Sequence, residues 1–283
     1  MSHFRWYGTM LYAGQVLSTY TPTPLPWHYA LTWASITTPV LYLVGLAIAF
    51  GLLVRQLIRR GGRLYKGEDE WQDLLFWGLG AGPFLAIIAL HAVVYNGWRQ
   101  LYFAYPPLLL LALQGLLAAW HWQPWNAVRA WWQPAVAFTV TISLVSVASK
   151  IAQLHPLENL YFNTLAGAHP ELRYEYDYWG LGSRQGLQWI VRHDTRSTIR
   201  VSTNMYATCF FAYNLLPPAE RKRLLLSRQP NKLTDYSLQS FYAESRGHTE
   251  VGTLVYSLRV EEEQRRVLDI YRLRQPIVLT PAN

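Results

Sequence analysis

The chain has 283 residues and a formal charge of +8, and 51% of it is apolar, yet its mean hydropathy is only +0.04. That average hides a division: residues 30–154 hold nearly all the long apolar runs, and the stretch after them has the composition of a water-soluble domain. The cations are spread along the chain, which argues against nucleic acid and for anionic lipid as the first partner, and the lone Cys209 excludes an intrachain disulfide.

Residues 1–29 form a segment before the first apolar run. His3 to Leu17 mixes aromatic, small and polar residues and suits a short helix at a membrane surface. Thr21–Pro26 is a stiff extended connector with three prolines, ending at the aromatic cluster Trp27-His28-Tyr29. There is no apolar signal-peptide core and no small-residue cleavage site.

Ala30–Val54 contains no charge and reads as a first membrane span, kinked at Pro39 after Thr37-Thr38. The loop 55–73 carries Arg55, Arg59, Arg60, Arg63 and Lys66, whereas the other short loops carry Arg99 or Arg129 alone. Positive charge gathers on the cytoplasmic side, so this loop is placed inside. Leu74–Val94 is the second span, with His91 within it, and Leu101–Trp120 is the third. The fourth runs from Pro134, a favoured first helical residue, to about Leu154. Trp120, Trp122, Trp125, Trp131 and Trp132 form an inner aromatic belt. The predicted fold is therefore a membrane α-helical domain of about four transmembrane helices (30–154) followed by a soluble α/β domain (155–283) outside the membrane. The localisation implied is a plasma (inner) membrane.

The tail after Leu154 begins with aromatic and polar stretches, Asn159–Asn163 and Tyr174–Gly180, which fit a loop packed near the membrane. Ser183 suits an N-cap for a helix to about Val191, and Thr198–Thr203 reads as a strand. Pro217–Glu220 opens a short helix and Leu224–Leu226 a following strand. Thr253–Val260 and Arg266–Arg272 alternate across Glu261–Gln264 as a terminal hairpin.

Between the second and third runs lies Tyr95-Asn96-Gly97-Trp98-Arg99-Gln100-Leu101-Tyr102-Phe103. One fixed cation among aromatic rings at a membrane boundary suits the phosphate of a lipid; it equally suits an interfacial anchor. The eight histidines are scattered at non-ligand spacing, so no metal or other cofactor is predicted. There is no phosphate loop and no nucleophile elbow. On the outer side the first acids are Glu158, Glu171, Glu175 and Asp177; of these Glu175 and Asp177 are the candidates for a proton-transfer role.

Taken in order, Pro26-Trp27-His28-Tyr29, Thr37-Thr38-Pro39, Tyr95–Phe103, Tyr161-Phe162-Asn163 and Asp177-Tyr178-Trp179-Gly180 resemble the C-terminal portion of a GT-C type membrane glycosyltransferase. That group includes protein mannosyltransferases and uses polyprenyl- or dolichyl-phosphate sugars. The resemblance implies Arg99 as the lipid-phosphate contact, with Trp27, Tyr29 and Tyr102 lining the entrance. The group's loop tends to read Asp-Gly-x-Arg-His, and here Asn96 and Gln100 stand at the acid and imidazole positions. Its catalytic acid lies in an earlier outer loop that no segment here matches. The chain then reads as a transferase module whose partner is a polyprenyl-phosphate-sugar donor and whose catalytic half lies upstream. The alternative is a non-catalytic lipid-binding or scaffold protein.

Overall fold

A computed structural model describes residues 8–18, 25–62, 65–94, 96–122, 126–241, 252–260 and 265–273. The readings that fall on Arg63, Tyr95, Trp125, Thr21–Pro24 and Glu261–Gln264 lie outside the described residues.

The first apolar run makes two helices where one kinked span was expected. Helix α1 (Tyr29–Thr37) stops because Thr38, ahead of Pro39, is driven to extended backbone with ψ 136°. Helix α2 (Val40–Arg59) starts directly after Pro39. Helix α3 (Glu68–Leu90) takes up the acids assigned above to the loop, because Glu68 and Glu70 favour the positive end of a helix. It ends at His91, exposed and in the left-handed region (φ +48°), so His91 terminates this helix and does not lie within a span. A 3₁₀ turn (Arg99–Ala104) leads straight into α4 (Tyr105–His121), with prolines in its first turn. Helix α5 (Asn126–Leu154) begins eight residues before Pro134, which sits inside it and does not open it. Four stretches are long and apolar enough to cross a membrane: Val40–Arg59, Glu70–Leu90, Arg99–His121 and Ala130–Leu154.

Helices α2 and α4 touch at backbone distance. A Cβ on Gly115 would fall onto the carbonyl of Gly45, and one on Gly45 would fall onto the carbonyl of Ala112. Small residues are what allow such an approach where lipid supplies no hydrophobic drive between helices.

Two compact units result, and they do not follow chain order. The first comprises the helices and residues 161–168. The second comprises residues 9–17, 153–160 and 169–283. Instead of the expected N-terminal surface helix, strands β1 (Thr9–Tyr12) and β2 (Gln15–Ser18) form a hairpin, turned by Ala13 and Gly14 at positive φ. The hairpin belongs to the second unit: Gly14 N–H donates to Arg173 O at 2.8 Å, Glu175 N–H to Leu11 O at 3.1 Å, and Tyr12 meets Tyr174 edge-on. Residues 174–177 are therefore interior to this unit.

The sheet of the second unit runs β4-β3-β5-β7-β6. Strand β3 (Ile199–Thr203) lies parallel to both β4 (Leu224–Ser227) and β5 (Tyr236–Ser240). The hairpin β6 (Gly252–Val260) and β7 (Arg265–Leu273) completes it antiparallel. Helices α6 (Gly182–His193) and α7 (Tyr206–Asn214) seal the core with Leu187, Ile190, Cys209 and Ala212 against Val201 and Leu238. A short helix α8 (Pro218–Arg221) joins α7 to β4. Arg223 donates to the carbonyls of Val191, Asp194 and Arg196, capping α6 at its C-terminal end. Arg196 bridges Asp194 and Asp235 at 2.6 Å each, which holds the Asp194 carboxyl well below the usual range.

Gly115→Leu would place a branched side chain inside the backbone of α2. A loss of about 1–3 kcal/mol or more is expected, read as a fall in the thermal midpoint of the detergent-solubilised protein, while Gly51→Leu, facing open space, leaves it unchanged.

Candidate functional site

An apolar groove of about 690 Å³ lies in the helical unit. Its walls come from Leu31 and Ser35 of α1, Leu46 and Phe50 of α2, and Phe84 and Leu85 of α3; Trp98 and Leu108 complete it. No Asp, Glu, Lys or Arg lines it. From Tyr42 to Phe50 the wall follows eight residues of helix, about 12 Å at 1.5 Å per residue. Trp77 meets Phe50 edge-on at its deep end.

Trp98 organises the other end. Its indole N–H donates to Thr37 Oγ1 at 2.9 Å, and the rings of Phe84, Tyr102 and Tyr105 surround it at 5.2–6.0 Å. The turn before it needs positive φ at Asn96 (+51°) and Gly97 (+75°). Gly97 lies against the Trp33 ring, and its N–H donates to the Tyr29 hydroxyl at 3.3 Å. Helix α1 thus fixes the 96–98 turn through two hydrogen bonds, from Thr37 and Tyr29.

Arg99 opens the 3₁₀ turn directly after Trp98 and is half-buried. Trp27 is 67% exposed and lines the groove. Tyr29 is 1% exposed and sits under the turn, and Tyr102 is half-exposed behind Trp98. Trp27 and Trp98 both line the groove, Arg99 follows Trp98 in the chain, and Tyr29 supports the turn.

One residue was quoted in the sequence without a role. Asn163 donates from its side-chain amide to the carbonyls of Ser35 (2.6 Å) and Thr38 (2.5 Å), and its backbone N–H donates to Ile36 O (2.9 Å). These are the carbonyls that Pro39 leaves without helical partners. The sequence signal was the proline itself: a broken helix needs a foreign donor.

Glu175 and Asp177 lie in the second unit, each 1% exposed. Asp177 accepts from the N–H groups of Leu181 and Gly182 at 2.9 Å each, so it satisfies the first turn of α6. That is the capping task assigned above to Ser183, which instead lies within the helix. Burial pushes the Asp177 carboxyl up to about 6 against those hydrogen bonds. Burial likewise pushes the Cys209 thiol up to about 12, which keeps it protonated and inert. Among the described residues no three His, Cys, Asp or Glu side chains come together as metal ligands.

No protein-family model, curated protein or solved structure matches the chain.

The Asp177 carboxyl has a folded pKa above the unfolded value of about 3.9. The folded state therefore binds the extra proton, and its stability falls as pH rises from about 4 to 6, by up to about 3 kcal/mol. Asp177→Asn removes that slope; denaturant titrations at pH 4, 5, 6 and 7 read it.

Proposed function

We propose that the helical unit holds the hydrocarbon chain of a polyprenyl-phosphate lipid in the groove, with the phosphate at Arg99. The observation that carries this reading is a chain-sized apolar groove with no Asp, Glu, Lys or Arg on its wall, bordered by Trp98, which precedes the half-buried Arg99 in the chain. An apolar wall accepts a lipid tail without desolvating charge, and a guanidinium fork beside aromatic rings suits a phosphate. Four helices of membrane length supply the setting.

The ordered motifs that resemble a GT-C glycosyltransferase extend this reading to donor-lipid binding for sugar transfer to an extracytoplasmic acceptor. The carboxylates of the described helical unit, among them Glu70 and Asp73, lie in the first turns of α3 and line a separate cavity with Gln56 and Gln114. The groove's lining therefore holds no carboxylate, and His28 is the imidazole on its wall. General-base help contributes roughly 10²–10⁴ in rate, so the catalytic acid of such a transferase has to reach the lipid head from elsewhere.

Binding of polyprenyl phosphate to the purified protein tests the site. Ala34→Trp and Ala81→Trp fill the groove and should weaken binding at least tenfold. Arg99→Ala, and also Arg99→Lys, should weaken it by a similar factor for the phosphate while leaving unphosphorylated polyprenol unaffected. Unchanged binding in the tryptophan variants would remove the groove from the site.

The 283-residue chain alone, in vesicles supplied with a radiolabelled polyprenyl-phosphate sugar, is expected to release no sugar above empty vesicles. Turnover abolished by Asp177→Asn would instead place the acid in the second unit.

A further inference from the structure

The second unit carries a helix that is apolar on both faces. Helix α7 buries Cys209 and Ala212 in the core, yet Phe210 and Phe211 are 43% and 70% exposed, and Leu215 at its end is 66% exposed. The rings of Tyr206, Phe210 and Tyr213 run as a stacked ladder at about 6 Å along its flank. A helix apolar all round is normally covered, and nine residues are too short to cross a bilayer.

Cations bracket this face. The Arg228 guanidinium lies 5.3 Å over the Tyr206 ring, at the start of α7. Arg221 donates to Asn214 O at the other end, and the exposed Lys222 follows it. Of the seven Lys and Arg across 196–232, Arg196 pairs with Asp194 and Asp235 and Arg223 caps α6; Arg221, Lys222 and Arg228 are the cations beside α7. Exposed aromatic rings flanked by cations match a headgroup layer: rings settle at the boundary and cations meet lipid phosphates. The tether favours the same occupant, since the chain re-enters this unit at Gln153, at the end of the membrane-length stretch Ala130–Leu154. A surface held that close is met at high effective concentration.

We infer that the outer face of α7 rests on an anionic bilayer surface. The inference depends on the reading that α2–α5 cross that bilayer.

The test uses the full chain in nanodiscs containing phosphatidylglycerol, in a Cys209→Ala background. Single cysteines at Phe211, at Leu254 on the opposite sheet edge, and at Val145 in α5 each carry a fluorophore, quenched by nitroxide lipids. Headgroup nitroxide should quench the label at Phe211 at least threefold more than that at Leu254. Arg221→Glu, Lys222→Glu and Arg228→Glu together should bring it to the Leu254 level, with Val145 still quenched by acyl-chain nitroxide. Equal quenching at Phe211 and Leu254, with Val145 quenched, overturns the inference alone. A Phe211 label shielded from iodide but not quenched by lipid assigns the face to a protein contact and overturns it too. An unquenched Val145 overturns the membrane reading along with it.

Discussion

Everything at the groove depends on what happens to three carbonyls. Pro39 ends α1, and Ser35, Ile36 and Thr38 are left with C=O groups that the helix does not use. A buried carbonyl of this kind left unpaired costs about 1–3 kcal/mol. Asn163, 128 residues from Ser35 in sequence, supplies all the donors. The anchored α1 then presents Thr37 to the Trp98 indole and Tyr29 to Gly97 N–H. A lost amide at Asn163 would therefore be felt at the groove mouth through α1, with no direct contact between Asn163 and any bound lipid.

The division of labour at the groove follows from its composition. Walls of Leu, Ile, Phe and Trp discriminate by shape and length, because their attraction is non-directional and scales with area. On the lipid-phosphate proposal, selectivity for a charged head falls to the 96–99 turn, where backbone geometry is pinned by positive φ at two consecutive residues. Asn96, buried at that turn, is a neutral residue where the resembled family carries an acid.

The helical half was legible because a bilayer sets helix length and charge-free runs are hard to miss. Its ends were not, since capping outweighs composition there: the acids before Leu74 joined α3, and His91 stopped it. The second unit was read less completely. Strands β3, β4, β6 and β7 showed their β-branched or alternating pattern. Strand β5, Tyr-Ser-Leu-Gln-Ser, puts only Tyr236 and Leu238 into the apolar core and has no β-branched residue, so its pattern is faint. Helix α7 has no polar stripe to announce it. Asp177 was noticed for its charge, while its spacing to Gly182, which marks a helix cap, was the informative part. The Ala13-Gly14 turn carries little turn chemistry, and the pairing that stabilises the hairpin comes from residues 173–175.

That last pairing constrains how the molecule is made. Strand β1 leaves the ribosome early, yet the backbone groups it bonds are synthesised only after all of α1–α5. The second unit therefore stays unfinished through the whole of the helical unit's synthesis, a non-local closure of the kind that slows folding. It also ties the two flanks of the helices together. If α2–α5 are threaded through a bilayer, residues 9–17 and 169–273 must emerge into the same water phase, so the number of crossings between them has to be even. An odd insertion leaves β1 stranded across the membrane from its partner.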